Sequence, residues 1–268
     1  MKTFQKTAST SELAIYRVLN QIAPSYNKSF SVLFLPQALE IDETSNLLTL
    51  PYYGGELFNG KWDESNGGSP LDLDLSQEIP LMLKDLAQID ISHVISNDVL
   101  SKTPKVTFDY DESLRHYETL SAKFKDAGLI AEEGRRQIRD ILTYRQTTKM
   151  IVSNGDFYPR NFIRRSDGRI ILIDWETWCD NSPWYIVDHP ENVAAIQFVH
   201  MWGNANWQQA YLLELRKLFD FQTESLNKAI VMKSLELAQI FRRTNQLEPM
   251  MHQIKLLQDT LRAIGADK

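Results

Sequence analysis

Apolar residues recur at three- and four-residue intervals from residue 9 to 23, with Leu13, Tyr16, Leu19 and Ile22 on one face, and this spacing predicts an amphipathic helix. Ser9-Thr10-Ser11-Glu12 reads as a capping box at its start, and Pro24 is expected to close it. Residues 3–7, just before, read as a strand carrying Lys6. Two further apolar runs, 31–35 and 47–53, are separated by the polar turn Asp42-Glu43-Thr44-Ser45-Asn46, and this predicts an antiparallel pair. The outcome is a small sheet carrying one helix. Gly54, Gly55, Gly60 and the Gly- and Pro-containing loop 63–70 then mark a boundary, because those residues interrupt regular structure. Beyond it the period is mostly helical, over 75–90, 111–126, 131–147, 191–201, 206–220, 223–243 and 249–264. Two short strands, 150–153 and 169–173, interrupt the helices and are joined through a loop at Asp156 and the turn Ser166-Asp167-Gly168.

Length and composition add limits. With 268 residues and 43% hydrophobic content the chain can bury a sizeable core, as one large domain or as two lobes. The balance of 29 basic against 35 acidic residues gives no basic face for nucleic acid, whereas an acidic surface suits a cationic small molecule. The first residues lack the apolar stretch of a secretory signal, and no run approaches the roughly 20 apolar residues of a spanning helix, so no membrane partner and a cytoplasmic location are expected. A single cysteine, Cys179, excludes an internal disulfide and a cysteine-rich zinc site, and the five histidines fall at no ligand spacing.

The candidate chemistry lies in Ser153-Asn154-Gly155-Asp156-Phe157-Tyr158-Pro159-Arg160-Asn161 and in the later Ile173-Asp174-Trp175-Glu176. Asp156 follows an apolar strand in a loop stiffened by Pro159, where a catalytic group is held rigid yet accessible. Asp156, Asn161 and Asp174 suit a base and two magnesium ligands, the equipment of phosphoryl transfer. Each has a plainer reading, as a turn aspartate, a turn amide and a strand-end cap. At usages of roughly 5–6%, their spacing arises by chance in about one chain of this length in twenty, so the combination outweighs its parts. Downstream, Trp175, Trp178, Trp184 and Tyr185 alternate with Glu176, Asp180 and Asp188, which reads either as a pocket for an amine or as aromatic packing.

Together these segments resemble the catalytic core of the aminoglycoside phosphotransferase and choline kinase family, relatives of the protein kinases. There a His-Gly-Asp-x-x-x-x-Asn loop precedes Ile-Asp-Trp-Glu; here Asn154 stands for the histidine, and an amide can also brace a loop by donating and accepting hydrogen bonds. The resemblance implies an α+β, protein-kinase-like two-lobed fold, with a reduced N-terminal lobe over 1–58 and a mainly helical C-terminal lobe over 59–268. It implies Asp156 as catalytic base, Asn161 and Asp174 as Mg2+ ligands, Lys6 on the ATP phosphates and Glu12 behind Lys6. Lys6 also reads as an exposed strand lysine, and Glu12 as the second half of the capping box. Tyr52 and Tyr53 would lead into the hinge whose backbone pairs with adenine, and both equally suit strand packing. Glu176, Trp178 and Asp180 would face the acceptor, a hydroxyl-bearing small molecule of cationic character. Because the given sequence opens at the lysine strand, the two strands that cover the phosphates in that family are expected to be missing and nucleotide binding to be weakened. The alternative is a non-catalytic nucleotide-binding or regulatory module of the same fold.

Overall fold

The computed structural model describes residues 2–53, 55–57, 75–103, 106–175, 185–201 and 203–266. The chain divides into two compact units, one of Met1–Gly60, Glu78–Phe108 and Met150–Pro190, the other of Lys61–Gln77, Asp109–Lys149 and Glu191–Lys268. All described strands belong to the first unit.

In the first unit, β1 (Thr3–Thr7) and β3 (Glu40–Asp42) flank β4 (Leu47–Pro51) in an antiparallel sheet, with Lys6 opposite Leu48. Helix α1 (Thr10–Ser29) buries Leu13, Tyr16, Leu19 and Ile22, the face that its period predicts. Ser9 caps it, its hydroxyl accepting from the Glu12 N–H at 3.1 Å. Pro24 does not close the helix, which continues to Ser29. Proline removes one backbone donor and costs about 3 kcal/mol inside a helix, and the following turn is held by tertiary contacts that offset it. The Tyr26 hydroxyl accepts from the Asp90 N–H at 3.0 Å, and Asn27 bonds Leu35 in both directions, at 3.0 and 2.7 Å.

A second correction concerns 31–35, which does not pair with 47–53. Leu33 and Phe34 form β2 (Leu33–Phe34), parallel to Ile170 and Ile171 of β8 (Ile170–Leu172), and β3 takes the hairpin position beside β4. The physical cause is burial and pinning. Leu33 and Leu35, two apart and so on one face, are wholly buried, and Phe34 on the other face is half-buried. The carboxylate of Asp85, itself buried, accepts from the N–H groups of Ser31, Val32 and Leu33 at 3.1, 2.9 and 2.9 Å. Asn20 grips Ala38 through both amide atoms, at 3.1 and 2.7 Å, so two asparagines of α1 lead the chain out of β2 and into β3. The expected turn then follows, with Asp42 Oδ1 accepting from the N–H groups of Thr44 and Ser45 and Asn46 at φ 53°.

The mixed sheet β2-β8-β7-β5 is completed by β7 (Phe162–Arg165) and β5 (Gly55–Leu57), while β6 (Ile151–Val152) pairs with β9 (Val187–Asp188). Periodicity does not predict β7, β9 or β5. They are two to four residues long and carry no alternation that a window could register. The unit also contains most of α2 (Leu75–Leu86) and the short α3 (Ser92–Ile95).

The second unit is helical among its described residues: α4 (Tyr110–Asp126), α5 (Glu132–Leu142), most of α6 (Pro190–His200), α7 (Ala205–Leu218), α8 (Thr223–Arg243) and α9 (Leu247–Ala266). Five of the seven expected helices agree with these to within two residues at either end. The predicted 75–90 and 131–147 stop early, at Leu86 and Leu142. Helix α8 is its core element, with Ala229, Val231, Leu235 and Ala238 fully buried. Buried Glu191 accepts from the hydroxyls of Thr148 and Ser225, each at 2.7 Å, so that its charge is hydrogen-bonded where it leaves water. The chain is thus α+β, as the resemblance implies.

Candidate active site

Strand β6 leads into 153–156, and Gly155 makes the turn at φ 77°, a left-handed conformation that disfavours a side chain. Asn154, wholly buried, donates through Nδ2 to the carbonyls of Asp156 at 3.0 Å and Ile173 at 2.9 Å. One amide therefore ties the loop holding Asp156 to the strand end before Asp174. This is the bracing expected of the residue in the histidine's place. A 3-10 turn over Pro159–Asn161 follows, in which the Asn161 N–H donates to the Tyr158 carbonyl at 2.8 Å. The Asn161 carbonyl then receives the Ile173 N–H at 2.9 Å, a second tie between the segments.

Asp156 is 4% exposed. Its Oδ2 accepts from Asn161 Nδ2 and from Arg160 Nη2, both at 2.9 Å. Burial raises its pKa above the ordinary 3.8; the Arg160 guanidinium and the Asn161 amide oppose that rise, and the charge of Asp174 adds to it. Asn161 gives its nitrogen to Asp156, to the main-chain carbonyl at 2.8 Å as well as to the side chain, which turns its oxygen toward other partners. Asp174 sits at φ 61°, a strained conformation for any residue but glycine that aspartate tolerates better than most. Its Oδ1 lies 3.4 Å from Lys6 Nζ, and Lys6 Nζ lies 2.8 Å from Oε1 of the buried Glu12. Lysine on β1, glutamate on α1 and aspartate after β8 thus form one continuous ion-pair chain.

Tyr52 and Tyr53, expected at the hinge, are seen in local contacts. Tyr53 uses its hydroxyl locally, accepting from the Gln37 N–H at 2.9 Å and donating to the Gln37 carbonyl at 3.2 Å, while burial raises its pKa. Tyr52 is 61% exposed with the Lys2 ammonium 6.0 Å from its ring centre. Trp175 is fully buried, its indole N–H bonded to the Leu172 carbonyl at 2.7 Å, so it packs the strand end. Glu176, Trp178 and Asp180 lie outside the described residues. Arg160, given no role in the sequence analysis, pairs with Asp156; its position four residues after the candidate base, in the turn before Asn161, is the signal in the sequence.

Among the described residues, no group of three or more His, Cys, Asp or Glu side chains is arranged to hold a metal ion. The donors present fit Mg2+ in another way. The Asn161 amide oxygen and the Asp174 carboxylate are of the donor types that a nucleotide-bound Mg2+ takes from a protein, phosphate and water supplying its other oxygens. Among the described residues no helix is long and apolar enough to cross a membrane.

No protein-family model matches the chain, and no curated protein matches it by sequence. Solved structures do. The GDP and kanamycin complex of APH(2")-IIia is 12% identical with a TM-score of 0.57, over 96% of this chain and 86% of that one. A thermostable mutant of aminoglycoside phosphotransferase APH(4)-Ia is also 12% identical, with a TM-score of 0.58 over 97% and 86%. Choline kinase LicA from Streptococcus pneumoniae is 12% identical, with a TM-score of 0.53 over 96% and 86%. The chain therefore has the kinase-like fold of the aminoglycoside phosphotransferases and choline kinases.

Proposed function

We propose that the protein is an ATP- and Mg2+-dependent phosphotransferase that moves the γ-phosphoryl group to a hydroxyl of a small molecule. The observation that carries this reading is the joining of Lys6, Glu12 and Asp174 in one ion-pair chain, tied through Asn154 to the loop of Asp156 and Asn161. In the proposed reaction the acceptor oxygen bonds to the γ-phosphorus, the bond from that phosphorus to the β,γ-bridging oxygen breaks, ADP leaves, and the hydroxyl proton passes to Asp156 Oδ1. Asp156 supports this role because it is buried, held through its other oxygen and raised in pKa, so that it takes up a proton more readily than an ordinary carboxylate. Asn161 and Asp174 would hold Mg2+, which when bound neutralises charge on the phosphates. Lys6, kept in place by Glu12, would contact the α- and β-phosphates. Because aminoglycoside 2'-phosphotransferase neighbours are solved with GDP, GTP is the nucleotide to compare with ATP. The acceptor class, an amino sugar, a choline-like alcohol or a related hydroxyl compound, follows from the neighbours' substrates by analogy alone.

Lys6→Met tests the nucleotide role. It is expected to weaken MgATP binding about tenfold or more by calorimetry, a loss of about 1.4 kcal/mol. It should also lower the melting temperature, because it strips a partner from the buried Glu12 carboxylate. Adding Glu12→Gln should recover stability but not affinity. Recovery of both would make the pair structural and remove Lys6 from the nucleotide site.

A further inference from the structure

Arg160 has no part in the roles described so far, yet its guanidinium is one of two donors on a single oxygen of the candidate base. Its Nη2 and Asn161 Nδ2 each stand 2.9 Å from Asp156 Oδ2. The three residues occupy one loop and one 3-10 turn, with Arg160 four positions after Asp156, and the Arg160 guanidinium lies 5.3 Å from the ring centre of Tyr158. Asp156 is buried, while the arginine side chain is 42% exposed, so the pair sits where a buried carboxylate meets accessible space. A carboxylate fixed through one oxygen by two donors at an angle to each other cannot rotate about its Cβ–Cγ bond without breaking both bonds. Oδ1 is then aimed by construction.

We infer that Arg160 is a positioning residue: it locks Oδ2 of Asp156 together with Asn161, so that Oδ1 alone is presented to the incoming hydroxyl. The inference rests on the phosphotransfer reading and adds to it a residue that acts through the base rather than on the nucleotide. Among the described residues, Asp174 is felt electrostatically by Asp156, and Lys6 touches Asp174. A planar fork suits this task better than an ammonium, because it bonds a carboxylate oxygen in a fixed direction.

The test uses the full chain with MgATP and water as the acceptor, reading ADP release, in the wild type, Arg160→Ala and Arg160→Lys. Arg160→Ala should lower kcat about tenfold to a hundredfold with the KM for MgATP unchanged within twofold, since a base displaced by about 1 Å loses rate rather than affinity. Arg160→Lys should lie between, and guanidinium ion at low millimolar concentration should restore part of the Arg160→Ala rate but none of the others. Circular dichroism melting separates loss of rate from loss of fold. Equal kcat in all three proteins would overturn the inference while leaving the phosphotransfer reading intact, as would a fall in kcat that Arg160→Lys and guanidinium ion both fail to relieve. Absence of nucleoside diphosphate release from the wild type with MgATP and with MgGTP, whether water, kanamycin or choline is the acceptor, would overturn both.

Discussion

Asp156→Asn is expected to lower turnover of MgATP with a hydroxyl acceptor by about 10²–10⁴-fold, the usual worth of general-base catalysis, while leaving MgATP affinity within about twofold. The substitution keeps the shape and the hydrogen bond from Asn161 but cannot take up a proton. It should also leave the protein no less stable. Burial raises the folded pKa of Asp156 above the 3.8 it has when exposed, so the folded chain binds this proton more tightly than the unfolded chain. Folding therefore carries a penalty that grows as pH rises from 3.8 through the folded pKa and is fully present above it. The asparagine variant escapes that penalty, and its melting temperature at pH 7.5 should equal or exceed that of the wild type. The same shift moves the acid limb of the wild-type rate profile upward from 3.8. A turnover assay and a calorimetric scan on one preparation decide the matter: lowered stability with unchanged rate would make Asp156 a structural turn residue.

Asp85→Ala is expected to cost about 3–5 kcal/mol of stability, the largest loss anticipated for a residue outside the ion-pair chain. Its carboxylate receives the N–H groups of Ser31, Val32 and Leu33 and the Ser31 hydroxyl. Alanine would leave those donors without it in a region where Leu33 is wholly buried. Because β2 pairs in parallel with β8, and Asp174 follows β8, the loss should also loosen the strand that presents the acidic end of the ion-pair chain. Urea unfolding measures the first effect through a lowered midpoint. A change below about 1 kcal/mol would mean that water or neighbouring groups replace the carboxylate.

The helices of the second unit were legible in the sequence because their apolar residues repeat over many turns, and α8 matched its predicted span. Asp156, Asn161 and Asp174 were legible for another reason: the resemblance rests on short spacings within adjacent segments. What escaped was set by partners distant in the chain. Nothing near residues 31–35 announces Ile170 or Asp85, yet these two decide that the run forms a buried parallel strand rather than a hairpin arm. Pro24 misled for a similar reason, since the contacts of Tyr26 and Asn27 that carry the helix past it involve Asp90 and Leu35. Arg160, given no role in the sequence analysis, reaches Asp156 through the turn over Pro159–Asn161.

In the proposed site Asp174 and Asn161 hold a Mg2+-bound nucleotide beside Asp156. A calorimetric titration of ATP tests it most directly, with Mg2+ and with chelator, for the wild type and for Asp174→Ala. The wild type should bind ATP with Mg2+ and lose most of that affinity with chelator, while Asp174→Ala, still folded by circular dichroism, should bind weakly under both conditions. Equal affinity of the two proteins for ATP in Mg2+, or wild-type binding indifferent to Mg2+, would contradict the account.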